Sequence, residues 1–503
     1  MQRLLSGIGV VLLVLAAIVA VTGGFETSVG GVPISVTSAG RLLFEGAVVL
    51  LLGAFVPPKP RSGALVACIA VFLIGAAADS EPRRVGDGFE YLGMATNLAR
   101  LSPSSLSVDE ASALTRDMAA RGDSTWDGVV MPTLRGADRR YDFPHFWLCS
   151  LAAAPFVAIA AAVGAHPAHG FTAMNLALVL AVCWLLARAG AALVAVLFAA
   201  LMLWWIDKAH AEIFIAALTA GALLLRTVSP GAALLILGVA VAQMPALVVL
   251  LVACAAEALI HHGRRLVTAA IAAAAIAALH PLYYLWRLAV LSPLSDTVIP
   301  HIPSARAFVT PLTDLNLGVV WFAPLLCGLT VAGAAAALRQ RRRDSLPLAL
   351  GAAALLIAAA EATNVNHGGT PGMSRYGVWL LALLLPLAAQ VHVPPRWHRA
   401  LAAGTALTVL FAALALHPRL ADAGITPAPT PLAAFVWTRA PALDNPLPEV
   451  FVERIVHVDG AAPMPVVMSG GQKALIACDA PGALCYRNGD RIVPAPWQPG
   501  FTR

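Results

Sequence analysis

The chain is expected to be an all-α polytopic membrane protein. Three observations predict this. Hydrophobic residues make up 59% of its 503 residues, and charged residues only 12%, about half the fraction usual in a soluble domain. The mean hydropathy is +0.80. The apolar runs are continuous and not alternating, which selects helices over a β-barrel.

The net charge of +6 reflects basic loops beside membrane spans, and no basic block interleaves with aromatics, so nucleic acid is not an expected partner. Of seven cysteines, Cys68, Cys149, Cys183, Cys254 and Cys327 lie in apolar runs and read as small core residues. Cys478 and Cys485 lie in the polar C-terminal part, with Pro481 and Gly482 between them. That spacing suits a local disulfide in an oxidising compartment, with a zinc pair as the alternative.

Leu4 to Val21, behind Met1-Gln2-Arg3, reads as a signal-anchor span. Phe25 to Val36 alternates and predicts a short hairpin. Arg41 to Val56 is the second span, Pro57 to Arg61 a basic turn, and Ala64 to Ala78 the third span. Residues 79–145 form a large outer loop. Within it, Ser107 and Glu110 make a capping box, Asp117 and Arg121 an i,i+4 pair, and Ala111, Leu114 and Met118 one apolar helix face.

Further spans follow at one segment ending near Gly164 and at 171–187, 190–206, 211–226, 231–255, 266–290, 316–337, 346–362, 376–391 and 399–416. The total is roughly thirteen, at about twenty apolar residues each or fewer when tilted. The basic clusters at 261–265, 339–343 and 396–399 fall on the same side as Lys59 and Arg61, which makes that side cytoplasmic. The side of residues 206–212 depends on whether Ala187 to Gly190 is a turn or a kink. Residues 1–416 form the membrane domain and 417–503 an extracytoplasmic region, in which Val450 to Val458 and Val466 to Ile476 read as strands.

Three outer stretches carry the chemistry. The first, Asp79 to Tyr91, packs four carboxylates and two arginines against a membrane surface. Carboxylates at the edge of hydrocarbon tend toward raised pKa values, which suits a general base. The second is Tyr141 to His145. The third, Asn364 to Tyr376, joins a glycine-rich turn to Arg375 at a span start, a combination that suits a lipid-linked phosphate. The plain alternatives are an interfacial anchor for Arg375, an ordinary loop histidine for His367, and a simple loop for Asp207 to Glu212. Tyr283, Tyr284 and Trp286 read as an interfacial aromatic belt.

Gly86-Asp87-Gly88-Phe89-Glu90-Tyr91-Leu92 resembles the first-loop signature of the GT-C superfamily, polytopic glycosyltransferases that use polyprenyl-phosphate sugars. Tyr141 to Phe146 with Leu151 to Pro155, His367-Gly368-Gly369 with Arg375-Tyr376 and Pro386, and Asp314 to Gly318 resemble later motifs of its bacterial, protein-mannosyltransferase-like branch. The likeness covers about residues 1–416 in layout. The chain departs in lacking an acidic residue beside Asp87 and in lacking the Trp-Trp-Asp motif of oligosaccharyltransferases.

The resemblance implies an inverting transferase in the bacterial cytoplasmic membrane, with its site facing the periplasm. It implies Asp87 as base, with Glu90, Asp79, Glu81 or no residue as the second acid and Glu90 named first, and Arg375 on the donor phosphate with His145 and Lys208 as weaker candidates. Tyr91, His367, Tyr376, His210 and Glu212 would line the cavity. The donor would be a polyprenyl-phosphate sugar and the acceptor an envelope glycan, lipid or protein. No cofactor is called for; a phosphate monoester is already a good leaving group, so a divalent metal is allowed but not required. The competing readings are a flippase of lipid-linked sugars, which would need charges inside spans and an inverted repeat, and an O-antigen polymerase or ligase, whose large loop normally comes late.

Overall fold

The computed structural model describes residues 2–29, 32–36, 38–54, 62–78, 80, 84–121, 134–136, 138–293, 305–340, 345–361, 372–416, 428–457, 466–468, 472–478 and 483–496. It is mostly helical, with a small C-terminal sheet. α1 (Gln2–Thr22) leads into the hairpin β1 (Phe25–Val29) and β2 (Val32–Val36), paired antiparallel with Phe25 opposite Val36. Next come α2 (Ala39–Ala54), α3 (Ser62–Ala78), α4 (Gly88–Ala99) and α5 (Val108–Ala120). β3 (Leu134–Arg135) pairs with β4 (Tyr141–Asp142). Then α6 (Leu148–Ala162), α7 (His169–Arg188), α8 (Ala192–Leu201), α9 (Glu212–Leu225), α10 (Pro230–Gln243), α11 (Val248–His262), α12 (Val267–Ala277) and α13 (Leu279–Leu288) follow. α14 (Ala305–Thr313), α15 (Val319–Phe322), α16 (Pro324–Arg339), α17 (Leu346–Glu361), α18 (Arg375–Ala389) and α19 (His398–Phe411) complete the helical body.

Among the described residues, three segments are long and apolar enough to cross a membrane, His169–Arg188, Pro245–Leu288 and Pro395–Ala415. Nine shorter apolar helices of 10–17 residues accompany them among the described residues. Val11, Ile159, Val252, Ile271, Val331 and Leu407 point outward and are exposed, an aliphatic exterior of membrane-like character. Helix crossings use small residues. A Cβ on Gly170 would lie 2.5 Å from the Val157 nitrogen, so α6 and α7 touch backbone to backbone. Gly75 meets α2 in the same way, 2.9 Å from Phe44 Cα.

Several elements depart from the sequence reading. The span expected over 231–255 is interrupted between α10 and α11 at Pro245, which lacks an N–H and crowds the preceding turn. The span expected over 316–337 is likewise broken before Pro324. Ala187 to Gly190, by contrast, is the turn of the sequence reading and not the alternative kink: Gly190 has φ +78° and the Ala191 N–H closes onto Leu186 O at 2.9 Å. Tyr283 and Tyr284 pack inward with Phe146 and do not form a belt, because their hydroxyls bond Asp142 and Phe143 O; Trp286 alone of the three is largely exposed.

Helix α5 is capped as its sequence demands. Ser107 Oγ accepts from Glu110 N at 3.2 Å, Glu110 Oε2 accepts from Ser107 N at 2.7 Å, and Ala111, Leu114 and Met118 are buried. Asp117 and Arg121 pair at 3.3 Å.

In the C-terminal region, α20 (Pro431–Arg439) and α21 (Pro448–Val456) pack on an antiparallel sheet of β5 (Val466–Met468), β6 (Lys473–Ala477), β7 (Leu484–Asn488) and β8 (Arg491–Pro494). Where the sequence reading expects a strand at 450–458, the described residues form helix α21, which ends at Val456. Pro448 opens it at the first turn, and burial of Val450, Phe451 and Val452 overrides their strand preference. Cys478 and Cys485 form a disulfide. Arg306 joins this region to the helical body, with Nη2 at 3.0 Å from Asp314 Oδ2 and 2.6 Å from Asp444 Oδ1.

Candidate functional site

α4 begins in a tight turn. The Gly88 N–H donates to Val85 O at 3.0 Å, and Gly86 between them has φ +45°, a conformation that favours glycine. This sets Asp87 at the N-cap, where an Asp side chain ordinarily caps the helix. Here the Asp87 side chain makes no capping hydrogen bond. It turns instead toward two cationic groups. His145 Nε2 lies 3.3 Å from Asp87 Oδ2, and Arg375 Nη1 lies 3.9 Å from the same oxygen.

Glu90, in the first turn of α4 where the helix dipole favours an acid, accepts from His145 Nδ1 at 2.7 Å. Burial opposes a charge on His145, but Asp87 and Glu90 outweigh it and raise its pKa to about 9. The imidazole is therefore a cation at neutral pH.

Arg375 opens α18 behind the N-cap Ser374, whose Oγ accepts from Gly377 N at 3.2 Å. Its guanidinium lies over Tyr376 at 5.5 Å and Trp379 at 6.0 Å from the ring centroids. Arg375 Nε is buried and has no hydrogen-bond partner among the described residues. The side chains of Asp87, His145 and Arg375 keep 12%, 16% and 16% of their surface exposed, while Asp87 Oδ2 and Arg375 Nε themselves are buried.

A second imidazole–carboxylate pair lies beside the first. His210 Nδ1 meets Glu212 Oε2 at 2.7 Å, and His210 Nε2 donates to Val85 O at 3.0 Å. The ring of buried Tyr91 stands between the two histidines, 5.4 Å from His145 and 5.5 Å from His210. Residues 206–212 thus pack against the Asp87 turn. Tyr376 is buried beside Trp379.

Lys208 is placed differently. Its Nζ pairs with Asp207 at 2.6 Å over the Trp204 ring, and both side chains are buried. His367 and its glycine run, together with Asp79 and Glu81, lie outside the described residues.

Sequence reasoning missed Trp379 as a platform for Arg375 and the Val85 carbonyl as an anchor. The i,i+4 spacing of Arg375 and Trp379 on one helix was a usable signal; a backbone acceptor leaves none.

Compared with known proteins, the chain matches no family model, no curated protein and no solved structure.

Ligand atoms of Asp87, Glu90 and His145 lie within 4.8 Å of one another, close enough to converge on a cation. Protonated His145 and Arg375 already supply positive charge there. The charges in the cluster balance: His145 and Arg375 stand against the carboxylates of Asp87 and Glu90, and Asp87 Oδ2 lies within 4 Å of both cations.

Proposed function

We propose that the chain is a polytopic membrane glycosyltransferase of the GT-C type, with roughly thirteen spans, some short or tilted. It would move a sugar from a polyprenyl-phosphate donor to an acceptor hydroxyl on the outer face of the bacterial cytoplasmic membrane. The acceptor would be an envelope glycan, lipid or protein. The observation that carries this reading is the convergence of Asp87, His145 and Arg375 beside an aliphatic helical body.

In this reading the lipid tail lies between helices and the phosphate on Arg375, with His145 beside it. The acceptor oxygen attacks C1 of the sugar from the face opposite the phosphate. The new O–C1 bond forms as the C1–O bond to phosphate breaks, and the anomeric centre inverts. The acceptor proton goes to Asp87, and the bond electrons leave with the phosphate. Positive charge gathers on the sugar, as in glycoside hydrolysis, and negative charge on the phosphate. The fixed guanidinium and imidazolium stabilise the latter without reorganising. Glu90 holds the imidazolium.

The disulfide of Cys478 and Cys485 supports an oxidising, outer location for the C-terminal region. The flippase reading is weaker, because transporter sites lie near the bilayer midplane in broken helices, whereas this cluster forms at the starts of α4 and α18.

The test is sugar transfer by the purified protein from a panel of polyprenyl-phosphate sugars, with Asp87→Asn and Arg375→Ala in parallel. Transfer by wild type and its loss in a folded Asp87→Asn support the base. Activity in Asp87→Asn with none in Glu90→Gln moves the base to Glu90. Passage of labelled lipid-linked sugar across a bilayer without donor consumption would replace the enzyme reading by the flippase.

A further inference from the structure

We propose that His210 and Glu212 form a positioning pair, which holds the turn carrying Asp87 in register with Arg375 and His145. Its kinetic consequence rests on the glycosyl-transfer reading; its structural consequence does not.

The two ring nitrogens of His210 face a carboxylate oxygen at 2.7 Å and a backbone carbonyl at 3.0 Å. Both partners accept and neither donates once Glu212 is ionised, so each contact requires an N–H on the ring. The side chain is therefore an imidazolium, neutralised by Glu212. Burial works against that charge, and the adjacent Glu212 carboxylate reverses the effect and raises the pKa of His210. Both residues are 2% exposed. A buried ion pair adds little net stability compared with apolar side chains of the same volume. What it supplies is direction, a charged donor aimed at one oxygen.

That oxygen belongs to Val85. It also accepts the Gly88 N–H at 3.0 Å, so His210 grips the turn at the atom that closes it. Asp87 lies inside this turn, at the N-cap of α4.

His210 is in turn held from α7. Asn175 Nδ2 donates to Trp205 O at 3.3 Å, Ile206 O at 3.2 Å and Lys208 O at 3.1 Å, which gathers the segment before His210. Trp205 packs on the His210 ring at 5.5 Å. The support thus runs from a buried helix, through a loop, to the carbonyl two residues before Asp87.

The experiment compares wild type, His210→Leu, His210→Gln and Glu212→Gln, each purified in detergent as the full chain. The Gln side chain at 210 keeps an N–H that can reach Val85 O. Two readouts are taken, steady-state transfer and hydrogen–deuterium exchange resolved by peptide. His210→Leu is expected to lower kcat about 10²-fold while the donor KM stays within about threefold, the signature of a displaced reacting group. His210→Gln is expected to recover about tenfold of that loss. Exchange over residues 86–91 should quicken about tenfold in His210→Leu, with α6 and α18 unchanged.

A raised donor KM with kcat intact would overturn the proposal, as would Gln behaving like Leu or unaltered exchange at 86–91. Faster exchange throughout the protein would reduce His210 to a packing residue and also overturn it. Should His210→Leu fail to fold, Glu212→Gln carries both readouts, with slower turnover and faster exchange at 86–91 expected. If wild type transfers no sugar from any donor, the glycosyltransferase reading fails, and the exchange data alone decide the positioning role.

Discussion

His145 bridges the two acids of the α4 start, with Nδ1 2.7 Å from Glu90 Oε2 and Nε2 3.3 Å from Asp87 Oδ2. One imidazole thereby fixes the spacing of both carboxylates. It also ties the stability of this corner to pH. The folded-state pKa of His145 is raised to about 9 from the ordinary 6.5. A raised histidine pKa stabilises fully below the unfolded value, and the contribution fades as pH rises through the folded one. Wild type should exceed His145→Gln in stability by roughly 3 kcal/mol near pH 6, and the gap should close between pH 7 and 9.5. Thermal unfolding of the two proteins across that range checks this, and a gap that widens with pH would contradict it.

Arg375 is stacked as well as paired, with Tyr376 at 5.5 Å and Trp379 at 6.0 Å. A lysine keeps the charge but loses the planar fork and the stacking. Arg375→Lys should therefore raise the KM for a polyprenyl-phosphate donor about tenfold or more, with the fold unaffected. Titration of donor against initial rate decides it, and an unchanged KM would remove Arg375 from the phosphate site.

Arg306 is shared by Asp314 and Asp444, whose side chains are 0% and 5% exposed. Removing the guanidinium takes away the one cation bonded to both acids among the described residues and leaves Asp444 only the more distant Lys473 charge. Arg306→Ala should cost roughly 3–5 kcal/mol at this joint. The loss should be local: limited proteolysis should cut within residues 428–457 faster than in wild type, while the helical body resists. Because Ser374 N–H donates to Leu317 O at 3.3 Å, close to Asp314, the same variant should also weaken donor binding.

Gly170 leaves no room between α6 and α7, since a Cβ there meets Val157 backbone at 2.5–2.6 Å. Backbone cannot swing aside as a side-chain tip can. Gly170→Ala should destabilise by about 1–3 kcal/mol. The melting temperature in detergent reports it, and an unshifted value would mean that the two helices sit farther apart than described.

Local signals were legible wherever the cause was local. The capping box at Ser107 and Glu110, the hairpin over residues 25–36 and the short disulfide loop each depend on residues close in sequence, and each forms. The breaks at Pro245 and Pro324 were written in the sequence too, but apolar length masked them. Val450 to Val456 reads as a strand because strand propensity reports a half-buried surface, and tertiary burial there surrounds a helix.

The sequence by itself determined the helical, apolar character of the chain, the acidic start of α4 and the arginine at the start of α18. These follow from composition and from residues within a turn or two of one another. Packing alone brings His145 to both acids, sets Arg375 beside it on Asp87, and carries His210 to Val85. Charge partners separated by whole helices are chosen by packing: a desolvated acid must find a cation within a few ångströms, and which one it finds depends on how the helices cross.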